Sequence, residues 1–230
     1  MAFEEKLRQI YDRLEEDCRC DLQRQIRILA KLTRDALKDD SWRDVSARTD
    51  RDIRDAASEA RRLARILDAT SYLGDKVIRA KFSTILDLRL KPDLSSVQEQ
   101  ILDMFETQKA PERGFVYVAW SARPEEYWYV GKANTPSRLN LVAHGKLARA
   151  TAEATQLSLV FPTQSREDIL EGVEAALLAL IEAYIGKPPK LNDHRETVLE
   201  RKGTDELRLL ANFLGSIADD LHYVRPKRAA

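Results

Sequence analysis

Two short runs decide the fold class of this chain: Gly114-Phe115-Val116-Tyr117-Val118-Ala119-Trp120 and Tyr127-Trp128-Tyr129-Val130-Gly131. Both are dense in β-branched and aromatic residues, the composition that suits a pleated, half-buried surface. Ser121 to Glu126, with Pro124 inside it, lies between them, so the pair predicts a β-hairpin. If that hairpin is symmetric about residue 123, Tyr117 stands directly opposite Tyr129. Opposed residues of an antiparallel pair point to the same face, so both hydroxyls converge on one side of the sheet. Paired strand tyrosines are common, and alone they specify no chemistry.

Downstream the period changes. Thr135-Pro136 reads as a helix start, with Thr as N-cap and Pro at the first helical position, and the helix runs to about Ala152. Gln156 to Phe161 is a third strand. Ser165-Arg166-Glu167-Asp168 opens a longer helix with Leu170, Val173, Leu177, Leu180 and Tyr184 at core spacing, stopped by Gly186-Lys187-Pro188-Pro189. A final helix over 203–221 precedes a basic tail. The order β-β-α-β-α describes a small α+β domain with a three-stranded antiparallel sheet flanked by helices.

Upstream, residues 1–108 read as an all-helical region. Leu7, Ile10 and Leu14, then Leu22, Ile26 and Leu29, recur at helical spacing. A second stripe holds Ile53, Ala56, Ala60, Leu63 and Leu67, and a third holds Val77, Ile78, Phe82 and Ile85. Tyr72-Leu73-Gly74 offers a glycine C-cap, and Leu94-Ser95-Ser96 a cap for a short helix through Phe105. Lys109 to Arg113 is the expected linker, dividing the chain into 1–108 and 109–230. Narrow apolar stripes flanked by charge suggest packing on one another or on a partner.

Composition narrows the function classes. The 230 residues are 43% hydrophobic and 33% charged, and Lys+Arg and Asp+Glu tie at 38 each. Zero net charge removes any argument from overall basicity, so nucleic-acid binding would need a local patch. Cys18 and Cys20 are too few for a disulfide framework or a zinc site. The start, MAFEEKLRQI, lacks a secretory signal's apolar core, and no run approaches a membrane span. The expectation is a cytoplasmic protein with no membrane partner.

On these residues, roughly 114–192, the chain resembles the GIY-YIG endonuclease domain. Gly114-Phe115-Val116-Tyr117 stands for the first element, one residue longer than Gly-Ile-Tyr. Tyr129-Val130-Gly131-Lys132-Ala133 stands for the second, and is similar to the form in the nuclease subunit of bacterial nucleotide excision repair. Arg138 matches the family's arginine on the following helix, and His144 its nearby His or Lys. Glu174, with Glu171 and Glu182 as substitutes, matches the metal-binding glutamate, and Asn192 the later asparagine. His144 lies six residues beyond Arg138, about 240° round a helix, so the two need not share a face.

The resemblance implies a metal-dependent phosphodiester hydrolase acting on nucleic acid, DNA before RNA. It assigns catalytic roles to Tyr117, Tyr129, Arg138 and His144, with Mg²⁺ or Mn²⁺ held by Glu174. A hard ion suits one carboxylate supplemented by water and phosphate oxygens. Arg138 supplies a bidentate cation for phosphate. A tyrosine hydroxyl orients or deprotonates the attacking water; with an ordinary pKa near ~10 it needs positive charge nearby, from metal, Lys132 or His144. From Tyr127 to Ala152 there is no acid, while Lys132, Arg138, Lys146 and Arg149 all fall there. That stretch is the expected phosphate-binding patch, with Asn192 as a further substrate contact. A chain with one site needs two copies to cut both strands, so a homo-oligomer, or a partner protein, is expected through residues 1–108. The rival reading is a nonenzymatic binding or assembly protein that keeps the nuclease fold.

Overall fold

The computed structural model describes residues 2–38, 47–80, 83–90, 94–107, 111, 113–135 and 145–192, with Phe213 and Ser216. The helices are α1 (Phe3–Lys38), α2 (Ala47–Leu73), α3 (Leu94–Thr107), α4 (Gly145–Glu153) and α5 (Glu167–Ile185). The strands are β1 (Thr84–Arg89), β2 (Phe115–Ala122), β3 (Glu125–Ala133) and β4 (Gln156–Phe161). No helix among the described residues is long and apolar enough to cross a membrane.

The fold is α+β with helices leading, as the sequence suggests, but its sheet has four strands rather than three. The order is β1-β4-β2-β3, antiparallel throughout. The added strand, β1, comes from the stretch read as helix. Ile85 extends the helical spacing of Val77, Ile78 and Phe82, but Leu86, Leu88 and Leu90 alternate with Asp87 and Arg89, and period two prevails there. β1 pairs along its whole length with β4, from Thr84 opposite Phe161 to Arg89 opposite Gln156. The fourth strand therefore anchors residues 84–89 in the sheet. The expected helix over 135–152 is seen as α4 from Gly145 onward; 136–144, most of the final helix and most of the linker lie outside the described residues.

Two compact units divide the chain. One comprises 1–14 with 69–200, the other 15–68 with 201–230. In the second unit the stripes of α1 (Cys18, Leu22, Ile26, Leu29) and α2 (Ile53, Ala60, Leu63, Leu67) are buried. Burial pushes the Cys18 thiol up to about 11, against the pull of the Arg62 guanidinium, so it is a protonated, inert core thiol.

In the first unit one sheet face carries Phe115, Tyr117, Ala119, Leu157 and Leu159 and packs on α3 and α4 through Ile101, Met104, Leu147 and Ala150. The other face takes α5 and the start of α1. Phe3 meets Trp120 with ring centroids 5.5 Å apart, and Leu170, Val173 and Leu177 of α5 are fully buried. A polar network ties α1 to this face. The Phe3 N–H donates to Asp87 Oδ2 at 2.8 Å, Ser158 Oγ donates to Asp87 Oδ1 at 2.6 Å, and Trp120 Nε1 donates to Ser158 Oγ at 2.8 Å. Lys6, 6% exposed, adds donations to Glu125 Oε2 at 3.0 Å and the Tyr184 hydroxyl at 2.8 Å.

Two glycines behave differently from one another. Gly186 has φ of 76° and ends α5, its N–H donating to Glu182 O at 2.9 Å, as a left-handed C-cap should. Gly74 opens a π-turn (Gly74–Ile78) after α2 instead of capping it. What Gly74 supplies is space: a Cβ there would lie 2.8 Å from the Tyr11 hydroxyl.

Candidate active site

The hairpin does not have the symmetric register. Tyr117 stands opposite Gly131, and Tyr129 opposite Ala119. A register shift at Ala119/Trp120 leaves Trp128 as the extra residue of a bulge, because Trp120 pairs with Tyr127. The two tyrosines are therefore diagonal neighbours rather than direct partners. They still share a face, since Tyr129 and Gly131 are two residues apart on one strand. Their ring centroids are 6.0 Å apart at 50°.

Gly131 makes room for this. A Cβ at Gly131 would come 2.6 Å from the Tyr117 hydroxyl oxygen and 2.7 Å from Cζ, so the Tyr117 side chain extends across the glycine. The glycine of the second motif thus has a steric reason to follow Tyr129. The Tyr117 side chain also hydrogen-bonds to that of Tyr129. Burial pushes the Tyr117 pKa well above the usual tyrosine value, and the Tyr129 hydroxyl, the Glu174 carboxylate and that hydrogen bond all add to the rise. Tyr117 is held as a neutral phenol and is not a ready base.

Glu174 is half-buried on α5. Of the three glutamates considered, it is the one whose charge acts on Tyr117. Glu171 is bonded to Lys132. Glu167, Glu171 and Glu174 follow one another at i, i+4 and i+7, so they share one face of α5.

Lys132 sits otherwise than in an open phosphate-binding patch. Its Nζ donates to Glu167 Oε1 at 2.5 Å and Glu171 Oε1 at 2.6 Å. Burial lowers its pKa, but the two carboxylates raise it by more, and the ammonium stays charged. Neither acid lies in the acid-free stretch of sequence; the fold brings them to it. Lys132 therefore supplies Tyr117 with little net positive charge. Lys146 and Arg149 are exposed on α4, three residues apart. Arg138 and His144 lie outside the described residues.

Asn192 makes two bonds to one residue. Its Oδ1 accepts from the Val130 N–H at 2.9 Å, and its Nδ2 donates to Val130 O at 2.8 Å. Lys190 N–H and Leu191 N–H donate to Tyr127 O and Trp128 O at 3.1 and 2.9 Å. Residues 190–192 thus line the outer edge of β3 and satisfy its main chain beside Tyr129. The Asn192 amide is occupied by that task rather than turned to a substrate. Lys190 also stands over Trp128, 3.7 Å from the ring centroid.

Sequence reasoning missed Glu167 and named Glu171 only as a substitute metal ligand, although their i, i+4 spacing ahead of Glu174 was a visible sign of an acidic stripe. Among the described residues, no group of three or more His, Cys, Asp or Glu is arranged to hold a metal ion. Compared with models of known protein families, with curated proteins and with solved structures, the chain matches none.

Proposed function

We propose that residues 114–192 form a GIY-YIG-type endonuclease that hydrolyses phosphodiester bonds in nucleic acid, DNA before RNA. The observation that carries this reading is one arrangement: Tyr117 bonded to Tyr129 across Gly131, with the Glu174 charge reaching Tyr117. Tyr117 and Tyr129 share a face beside Gly131, the Glu174 charge reaches Tyr117, and a bare scaffold has little use for that set.

The donor set suits Mg²⁺ or Mn²⁺ rather than a softer ion. It offers one carboxylate, Glu174, beside phenolic oxygens, all hard oxygen donors. Such an ion keeps most of its shell as water and phosphate oxygens. When bound at Glu174, it would supply charge for the phosphoryl oxygens. The chain's own residues divide the remaining work. Tyr117 hydrogen-bonds to Tyr129 and fixes its position, and Tyr129 orients the attacking water. Arg138, by the resemblance, binds the scissile phosphate. Lys146 and Arg149 hold flanking phosphates from the exposed face of α4.

The nonenzymatic binding protein stays as the second reading because Lys132 is neutralised by two acids. Cleavage tests with Arg138→Ala separate the two. The enzyme reading predicts loss of cleavage with DNA affinity reduced only modestly. The scaffold reading predicts no metal-dependent cleavage by either protein.

Pairing through residues 1–108 belongs to the same proposal, but its physical basis shifts. The apolar stripes of α1 and α2 are already buried in the chain. A homodimer or partner contact must therefore use charged helix faces and exposed side chains such as Ile28. Light scattering of the full chain at micromolar concentration should give twice the monomer mass, and a monomer would remove pairing from the account.

A further inference from the structure

Lys132 directly follows Gly131 on β3, where the proposed site would receive a phosphate. Its ammonium is 2.5 Å from Glu167 Oε1 and 2.6 Å from Glu171 Oε1, and these two acids lie on successive turns of α5. Glu174 continues the same face. Three carboxylates against one ammonium leave this edge with formal negative charge, which repels a phosphodiester backbone. The glutamate side chains are 50% exposed, so water screens the two ion pairs. Exposed pairs of this kind are weak and yield to competing anions. A duplex presents many phosphates at once, so a backbone lying along β3 keeps a phosphate beside Lys132 at high local concentration.

We propose that Glu167 and Glu171 form an electrostatic latch on Lys132: they cover its ammonium in the free protein, and a nucleic-acid backbone displaces them to reach it. The latch rests on the nuclease reading and adds a selectivity to it. An isolated phosphate or nucleotide brings too few contacts to open the pair, whereas a polyanion opens it. Packing of Leu170, Val173 and Leu177 already holds α5 on the sheet, so the two ion pairs are not needed to keep the helix in place.

The test is binding of a short fluorescein-labelled DNA duplex, without divalent ions, to the full chain across a salt series. Wild type is compared with Glu167→Gln/Glu171→Gln, with Lys132→Met, and with the triple variant. The latch predicts that the glutamine pair binds roughly tenfold more tightly at low salt, with a logarithmic salt slope steeper by about 0.9, the value of one added phosphate contact. It also predicts that Lys132→Met abolishes this gain, so that the triple variant binds like Lys132→Met alone. A gain that persists without Lys132 would be general charge removal and overturns the latch, as does no gain. If neither wild type nor any variant binds duplex DNA, the nuclease reading fails and the latch with it.

Discussion

Tyr117 passes so close to Gly131 that a Cβ at position 131 would stand 2.6 Å from its hydroxyl oxygen and 2.9 Å from Cε2. Glycine is therefore a steric requirement of the tyrosine pair, imposed by register rather than by backbone conformation. Gly131→Ala should destabilise the chain by about 1–3 kcal/mol, the usual range for overpacking a well-filled site. Adding Tyr117→Phe should recover only part of the loss, because the ring carbons also meet the new methyl. Urea unfolding of the two single variants and the double variant measures this, and full recovery would place the conflict at the hydroxyl alone.

Asn192 and Val130 are the second such pair. Removing the amide with Asn192→Ala leaves the Val130 N–H and C=O at the edge of β3 without those partners. The expected cost is about 1–3 kcal/mol. Hydrogen exchange at the Val130 amide should accelerate, and any nuclease activity should fall without a change in DNA affinity. Unchanged exchange at Val130 would mean that Asn192 does not hold that edge.

Asp87 accepts from the Phe3 main chain and from Ser158, which in turn accepts from Trp120. Asp87→Ala strands the buried Ser158 hydroxyl and the Phe3 N–H and releases the start of α1, so a loss of about 2–4 kcal/mol is expected. Exchange of the first amides of α1 should rise with it. Asp87→Asn, which keeps the shape and one acceptor, should lose less.

Tyr117 and Tyr127 are both pushed above the ordinary tyrosine pKa, chiefly by burial, with Glu174 acting on the first and Glu125 on the second. Below pH ~10 the folded and unfolded chains both keep these protons, and no stability changes. Above it the unfolded chain ionises first, so the folded state loses about 1.4 kcal/mol per pH unit for each tyrosine. Unfolding free energies measured from about pH 9 to 11 should stay level to about pH 10 and fall toward that slope above it. Tyr117→Phe should make the fall shallower by one proton, and an unchanged slope would contradict the burial argument.

Much of the sheet domain was legible because its signals are local. Gln156 to Phe161, the hairpin and the Gly186 stop each carry their own residue pattern. β1 was misread because Ile85 extends a real helical spacing while Leu86, Leu88 and Leu90 obey a different period; neighbouring stripes of different period overlap there. The register failed for another reason. The turn centres between Arg123 and Pro124 rather than on Arg123, and a bulge at Trp128, which leaves no mark in composition, adds a second residue of shift, so together they move Tyr117 from Tyr129 to Gly131. Shared facing of the two tyrosines survived only because the register moved by an even number of residues. The partners of Lys132 and Asn192 were out of reach altogether, lying 35, 39 and 62 residues away. Only the folded sheet edge brings them together.

The central claim is that Glu174, Tyr117 and Tyr129 form a metal-dependent nuclease site, and plasmid cleavage tests it most directly. Supercoiled DNA is incubated with the full chain in Mg²⁺ or Mn²⁺, beside Glu174→Ala and a control with chelator. The account predicts nicking or linearisation by the wild type that disappears with chelator and falls at least about a hundredfold in Glu174→Ala, by analogy with loss of a principal charge-stabilising group. Cleavage by Glu174→Ala at the wild-type rate, or intact plasmid in every lane under both metals, would contradict it.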